Sequence, residues 1–115
     1  MNRIERLQRR RDVAAARAGV RAGTDTLVVH GVITPSDFPC RVGYAVSRAV
    51  GSAVVRNRLR RQLRAVVANH AENFPTGGLV LVRVQAAATS RTFAELEADL
   101  LRCVGRWRQR AEVVG

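Results

Sequence analysis

Apolar residues return every three or four positions between Ser52 and His70, at Val55, Leu59, Leu63, Val66 and His70, and so draw one stripe along a helix. The same period governs the C-terminal stretch, where Phe93, Leu96, Leu100, Cys103, Val104 and Trp107 share a face. Thr92-Phe93-Ala94-Glu95 matches a capping box, so this helix is predicted over residues 93–111. Other stretches are β-branched runs. Thr26 to Ile33 and Cys40 to Ser47 flank a Thr34-Pro35-Ser36-Asp37 loop, and Leu79 to Gln85 follows a Pro75-Thr76-Gly77-Gly78 turn. These are predicted strands, with room for a short fourth near Val20 to Ala22. From Arg3 to Arg21 the chain is polar and Arg-rich; Ile4, Leu7, Val13 and Ala14 to Ala16 support one short helix, around 9–18, before Gly19. Helices and strands in this order imply one sheet with helices packed on it, of the α+β or α/β kind. No internal repeat, low-complexity tract or long linker interrupts it, so residues 1–115 read as one domain, with 1–8 a candidate disordered basic N-terminus.

Charge changes the picture most. The 115 residues hold 20 basic and 9 acidic side chains, a net charge of +11, and a nucleic acid is the commonest partner of so basic a small domain. A membrane surface or an acidic protein stays open on charge alone. Every basic residue is Arg, whose planar fork suits phosphates and base edges, although a coding bias toward Arg, Ala, Val and Gly gives the same composition. Cys40 and Cys103 have no partner at a ligand-like spacing, and read as reduced, partly buried thiols rather than a zinc site or a disulfide. Met1 to Arg6 lacks an apolar targeting core and no stretch nears the roughly 18 apolar residues of a membrane span, so the expectation is a soluble, cytoplasmic protein.

The central helix concentrates the charge. Arg56, Asn57, Arg58, Arg60, Arg61 and Arg64 crowd opposite its apolar stripe, and at about 100° per residue the five arginines share an arc of roughly 200°. From Phe38 to Ala71 the chain has seven Arg and no Asp or Glu, so no i,i+4 carboxylate neutralises them. An ordinary solvated helix face mixes signs; a like-charge cluster implies that a polyanion supplies the missing charge. Other classes fit less well. A metal nuclease needs converging carboxylates or histidines, but Glu95, Glu97 and Asp99 sit where the capping box and helix dipole account for them, and His70 is remote from other ligands in sequence. A membrane-surface helix needs bulkier side chains than Val55, Leu59 and Leu63. A ribosome-associated or nucleoid binding module is the strongest competitor.

Arg41-Val-Gly-Tyr-Ala-Val-Ser-Arg48, followed by Val50-Gly-Ser-Ala-Val-Val-Arg56-Asn57-Arg58-Leu-Arg60-Arg61-Gln-Leu-Arg64, closely resembles the bacterial ribonuclease P protein component. The Arg-Asn-Arg block straight after a strand ending Val46-Ser47-Arg48 is specific to that family, and looser likeness extends over nearly the whole chain, including Thr92 to Leu100. The resemblance implies an α+β fold, a single-layer four-stranded sheet packed by helices in the order α-β-β-β-α-β-α, with a left-handed β-α-β crossover where general rules favour a right-handed one. It implies a protein cofactor of a ribonucleoprotein endonuclease that removes 5′ leaders from precursor tRNA. The catalytic groups and Mg2+ then belong to the RNA subunit and substrate, no side chain of this chain is catalytic, and the protein acts as a monomer in a 1:1 complex with the RNA. Arg56, Asn57, Arg58, Arg60, Arg61 and Arg64, with Ser47 and Arg48, would face the catalytic RNA. A cleft between the first helix and the sheet would take the single-stranded leader. Here the chain departs from that family's pattern: Val13 and His30 stand where aromatic residues are usual, and the first helix is one residue short near Arg17, so base stacking is left to the His30 ring, which reads equally as a partly buried strand histidine, and Val13 reads equally as core.

Overall fold

The computed structural model of the protein describes residues 3–114. Its elements are β1 (Ile4–Arg6), α1 (Arg10–Arg17), β2 (Val20–Gly23), β3 (Leu27–Ile33), β4 (Cys40–Ala45), α2 (Ala53–Asn69), β5 (Gly78–Val84) and α3 (Phe93–Val114). They build the expected α+β arrangement, but the sheet has five strands, ordered β1-β4-β5-β3-β2. The extra strand is β1, which corrects the reading of residues 1–8 as disordered: Ile4, Glu5 and Arg6 pair in parallel with Cys40, Arg41 and Val42, and Leu7 is buried. Met1 and Asn2 lie outside the described residues. A three-residue strand is too short to show alternation. What holds it is tertiary, because Leu7 lies over Gly43 and Ile4 packs against the main core.

Side chains alternate across the sheet, and the alternation sorts them into two cores. Leu27 and Val29 of β3, Cys40 and Val42 of β4, and Val80, Val82 and Val84 of β5 meet α2 and α3 on one face. On the other, Leu79 and Leu81 of β5 meet Leu7 and Ala16, beneath α1. The middle strand β5 is therefore apolar on both sides, and it reads as a nearly continuous apolar run for that reason. β4 and β5 run parallel and are joined through α2, whereas β5 with β3 and β3 with β2 are antiparallel.

Two glycines answer to close packing and turn geometry. Trp107 of α3 donates from Nε1 to the Gly31 carbonyl at 3.1 Å, and a Cβ at Gly31 would lie 2.8 Å from the indole. Gly77 holds φ +76° in the turn entering β5, a conformation that costs glycine little. The helix ends follow the sequence: Ser52 Oγ accepts from Val55 N at 3.3 Å, and Thr92 and Glu95 form the reciprocal capping box, with bonds of 2.9 and 3.1 Å. Cys40 and Cys103 are both free thiols, and both are fully rather than partly buried. No helix among the described residues is long and apolar enough to cross a membrane.

Candidate nucleic-acid interface

Leu59, Leu63, Val66 and Val67 bury one side of α2, with Val55 partly buried at its start, and this orients the arginines outward. Arg61, Arg64 and Asn57 are exposed; Arg56, Arg58 and Arg60 are half-buried along their stems. The arc is not uniform. Arg56 Nε donates to the Gly51 carbonyl at 3.2 Å, and Arg58 donates to the Thr89 carbonyl at 3.2 Å, so these two are held against the turns Arg48–Val50 and Ala86–Ser90. Arg60 donates to Asn57 Oδ1 at 3.1 Å, and Arg64 lies 5.7 Å over the Tyr44 ring. A guanidinium has five N–H donors, so each bond aims the group and leaves most of its fork available. Among the described residues, the ion pairs involve Arg41, His70 and Arg91 and none of the α2 arginines. The N-terminus of α2 adds its own positive end, with no acid in its first turn.

Ser47 and Arg48 are exposed at the end of β4 and lead through the Arg48–Val50 turn into α2, contiguous with the arc. Arg41 is separated from it. It faces the other side of the sheet, bonded to Glu5 at 3.4 Å and Asp12 at 3.2 Å and lying 3.9 Å over Phe38. The stretch without acids therefore overstates the local field at Arg41, because its carboxylates arrive from β1 and α1.

The α1 face carries a second basic cluster. Around His30 of β3, burial, then the charges of Arg83, Arg21 and Arg17, hold its pKa below the usual 6.5. Arg17 and His30 thus come together. Val13 instead packs with the small core beneath α1, while lining the outer groove of that helix with Gln8, Arg10 and Ala14. Arg21 and Arg83 are not legible in the sequence as members of this cluster. Arg21 sits opposite His30 in the β2–β3 register and Arg83 opposite Val28 in the β3–β5 register, and neither register is visible before the strands pair.

The acidic residues disperse. Glu95 caps α3, and its bonds to Thr92 hold its carboxyl below the usual range. Glu97 meets His70 at 2.9 Å, a pair that sequence distance concealed. Asp99 is buried, accepting from Thr26 Oγ1 at 2.7 Å and pairing with Arg91 at 3.3 Å. Among the described residues no three His, Cys, Asp or Glu side chains are grouped to hold a metal ion.

The family profile described as Ribonuclease P matches residues 1–108. Among curated relatives, the ribonuclease P protein component of a Nocardioides species is 44% identical over 103 residues, spanning 88% of this chain and 86% of that protein. The Streptomyces bikiniensis counterpart is 45% identical over 104 residues, 83% of this chain and 85% of the relative. Among solved structures, the RNase P protein of Thermotoga maritima superposes with a TM-score of 0.77 at 25% identity, covering 89% of this chain and 96% of the other. A Staphylococcus aureus RNase P protein mutant with defective mRNA degradation activity superposes with a TM-score of 0.80 at 22% identity, over 90% and 87% of the two chains.

Proposed function

Since this chain belongs to the ribonuclease P protein component family, and is thereby a subunit of a ribonucleoprotein endonuclease of tRNA processing that associates with the ribonuclease P RNA, we propose how its surface divides that work. The observation that carries the proposal is the α2 arc: Arg56, Asn57, Arg58, Arg60, Arg61 and Arg64 on one rigid helix, continued by Ser47 and Arg48, with no carboxylate paired to its arginines among the described residues. Phosphates of the catalytic RNA complete those forks. The α1 face, with Arg17, Arg21, His30 and Arg83, takes the 5′ leader of precursor tRNA, by charge and by the His30 ring rather than by an aromatic pair. Val13 shapes the helix side of that cleft.

The bond-breaking chemistry is assigned to the RNA subunit. Glu95 is engaged in a cap, Glu97 with His70 in an interhelix pair and Asp99 in a buried bond, and both thiols are buried with raised pKa values. Mg2+ is correspondingly assigned to the RNA and the substrate, where it would activate water and stabilise the developing charge. One protein binds one RNA, in the cytoplasm.

The test is reconstitution with a bacterial ribonuclease P RNA at low magnesium, followed by precursor tRNA cleavage. The protein should stimulate cleavage over RNA alone and cleave nothing by itself. Absence of stimulation, or cleavage by protein proved free of RNA and contaminating nucleases, would overturn the division of labour.

A further inference from the structure

A third group of arginines lies at the β2 edge of the sheet, away from the α2 arc. Arg102, Arg106 and Arg110 are exposed and repeat every four residues along α3, so they stand about 6 Å apart on one side of it. With Arg21 they border an open groove of about 640 Å³, whose rim also includes Asp25 and the Arg91–Asp99 pair. Arg106 donates to the Gly23 carbonyl at 3.3 Å and Arg110 to the Arg21 carbonyl at 2.6 Å. Those bonds cover carbonyls of an edge strand, and cations near a helix C-terminus favour its dipole. Edge protection explains part of two arginines. It leaves Arg102, which makes neither bond, and the convergence of four guanidiniums on one groove.

Position decides the occupant. Arg60 and Arg64 border the β1 edge beside Ile4 to Leu7, four strand spacings or about 19 Å from β2, so RNA docked along them lies across the sheet from Arg102, Arg106 and Arg110, while Arg58 reaches only the Ala86–Ser90 turn that precedes α3. Arg21, by contrast, belongs to both neighbourhoods: it acts on His30 on the α1 face and lines the α3 groove. We propose that Arg21, Arg110, Arg106 and Arg102 form a phosphate track that carries the single-stranded leader onward from the α1 face, over the β2 edge and along α3. The row spans about 12 Å from Arg110 to Arg102, and its repeat is close to one nucleotide of an extended strand. No base is read here, so the track extends the reach of leader binding without sequence preference. This inference rests on the reading that the α1 face takes the leader.

The experiment measures binding of the reconstituted holoenzyme to precursor tRNAs whose leaders lengthen one nucleotide at a time. Wild type should keep gaining affinity after the α1 face is filled. With Arg102→Ala, Arg106→Ala and Arg110→Ala combined, the gain should stop about three nucleotides earlier, and the salt slope for long leaders should fall by about 2, at roughly 0.7 per phosphate. Binding of the RNA subunit should be unchanged. If the triple variant melts early through loss of edge bonds, Arg102→Glu alone serves, and should blunt the same late gain. A variant that follows wild type at every leader length overturns the track. Arg17→Ala plus His30→Ala tests the underlying reading separately: it should weaken short and long leaders alike, and unaltered affinity for both would sink the α1-face assignment and the track with it.

Discussion

His30 shows how a single residue takes its chemistry from neighbours. Burial and three arginines lower its pKa, so the unfolded chain takes up the proton first as pH falls. The residue therefore leaves stability untouched above its ordinary 6.5 and lowers it as pH drops through and below that value. A bound phosphate acts oppositely, favouring the imidazolium. Leader affinity should rise as pH is lowered toward the depressed pKa of His30, His30→Gln should abolish the rise, and the imidazole titration followed by NMR should move upward on adding precursor. A flat profile in wild type would separate His30 from the phosphate. Cys40 makes the contrasting case: burial pushes its thiol up to about 12, so alkylation at neutral pH should be slow until denaturant opens the core. Asp99 was legible in sequence only as a helix acid, because its partner Thr26 is 73 positions away. Asp99→Ala should cost about 1–3 kcal/mol in denaturant unfolding, since the buried bond from Thr26 and the pair with Arg91 are both lost.

At the scale of elements, α2 has a packing side and a binding side, and one pair of variants separates them. Arg60→Ala with Arg64→Ala removes two cations of the arc, one half-buried and one exposed, while keeping helix propensity, so melting should change little, whereas RNA affinity should fall by about 1–3 kcal/mol. Leu59→Ala removes a fully buried side chain and should cost about 2–5 kcal/mol of stability. Equal destabilisation by both, with unaltered affinity in the folded fraction, would make α2 purely structural. The stripe and the arc were readable because 3.6-residue periodicity is local. The short β1 was not, because its stability comes from Leu7 over Gly43 and a parallel pairing with β4.

Across the whole molecule, charge sets association. With about five or six phosphates neutralised by the α2 arc, log K against log salt for the RNA subunit should slope near −4 to −5. A slope near −1 would place docking elsewhere. Light scattering of the complex should give the mass of one protein per RNA, and a two-protein mass would revise the stoichiometry.

The sequence by itself determined what depends on near neighbours: the helices and the capping box of α3, the four longer strands, the cationic arc of α2, and the family through its Arg-Asn-Arg block. Tertiary structure alone decided what depends on register and chain crossing. It set Arg41 against Glu5 and Asp12, gathered Arg17, Arg21 and Arg83 around His30, dispersed Glu95, Glu97 and Asp99, and drew Arg106 and Arg110 onto the β2 edge. Helical periodicity acts over about four residues, whereas these contacts join positions up to 89 apart, and only the folded sheet brings them within reach.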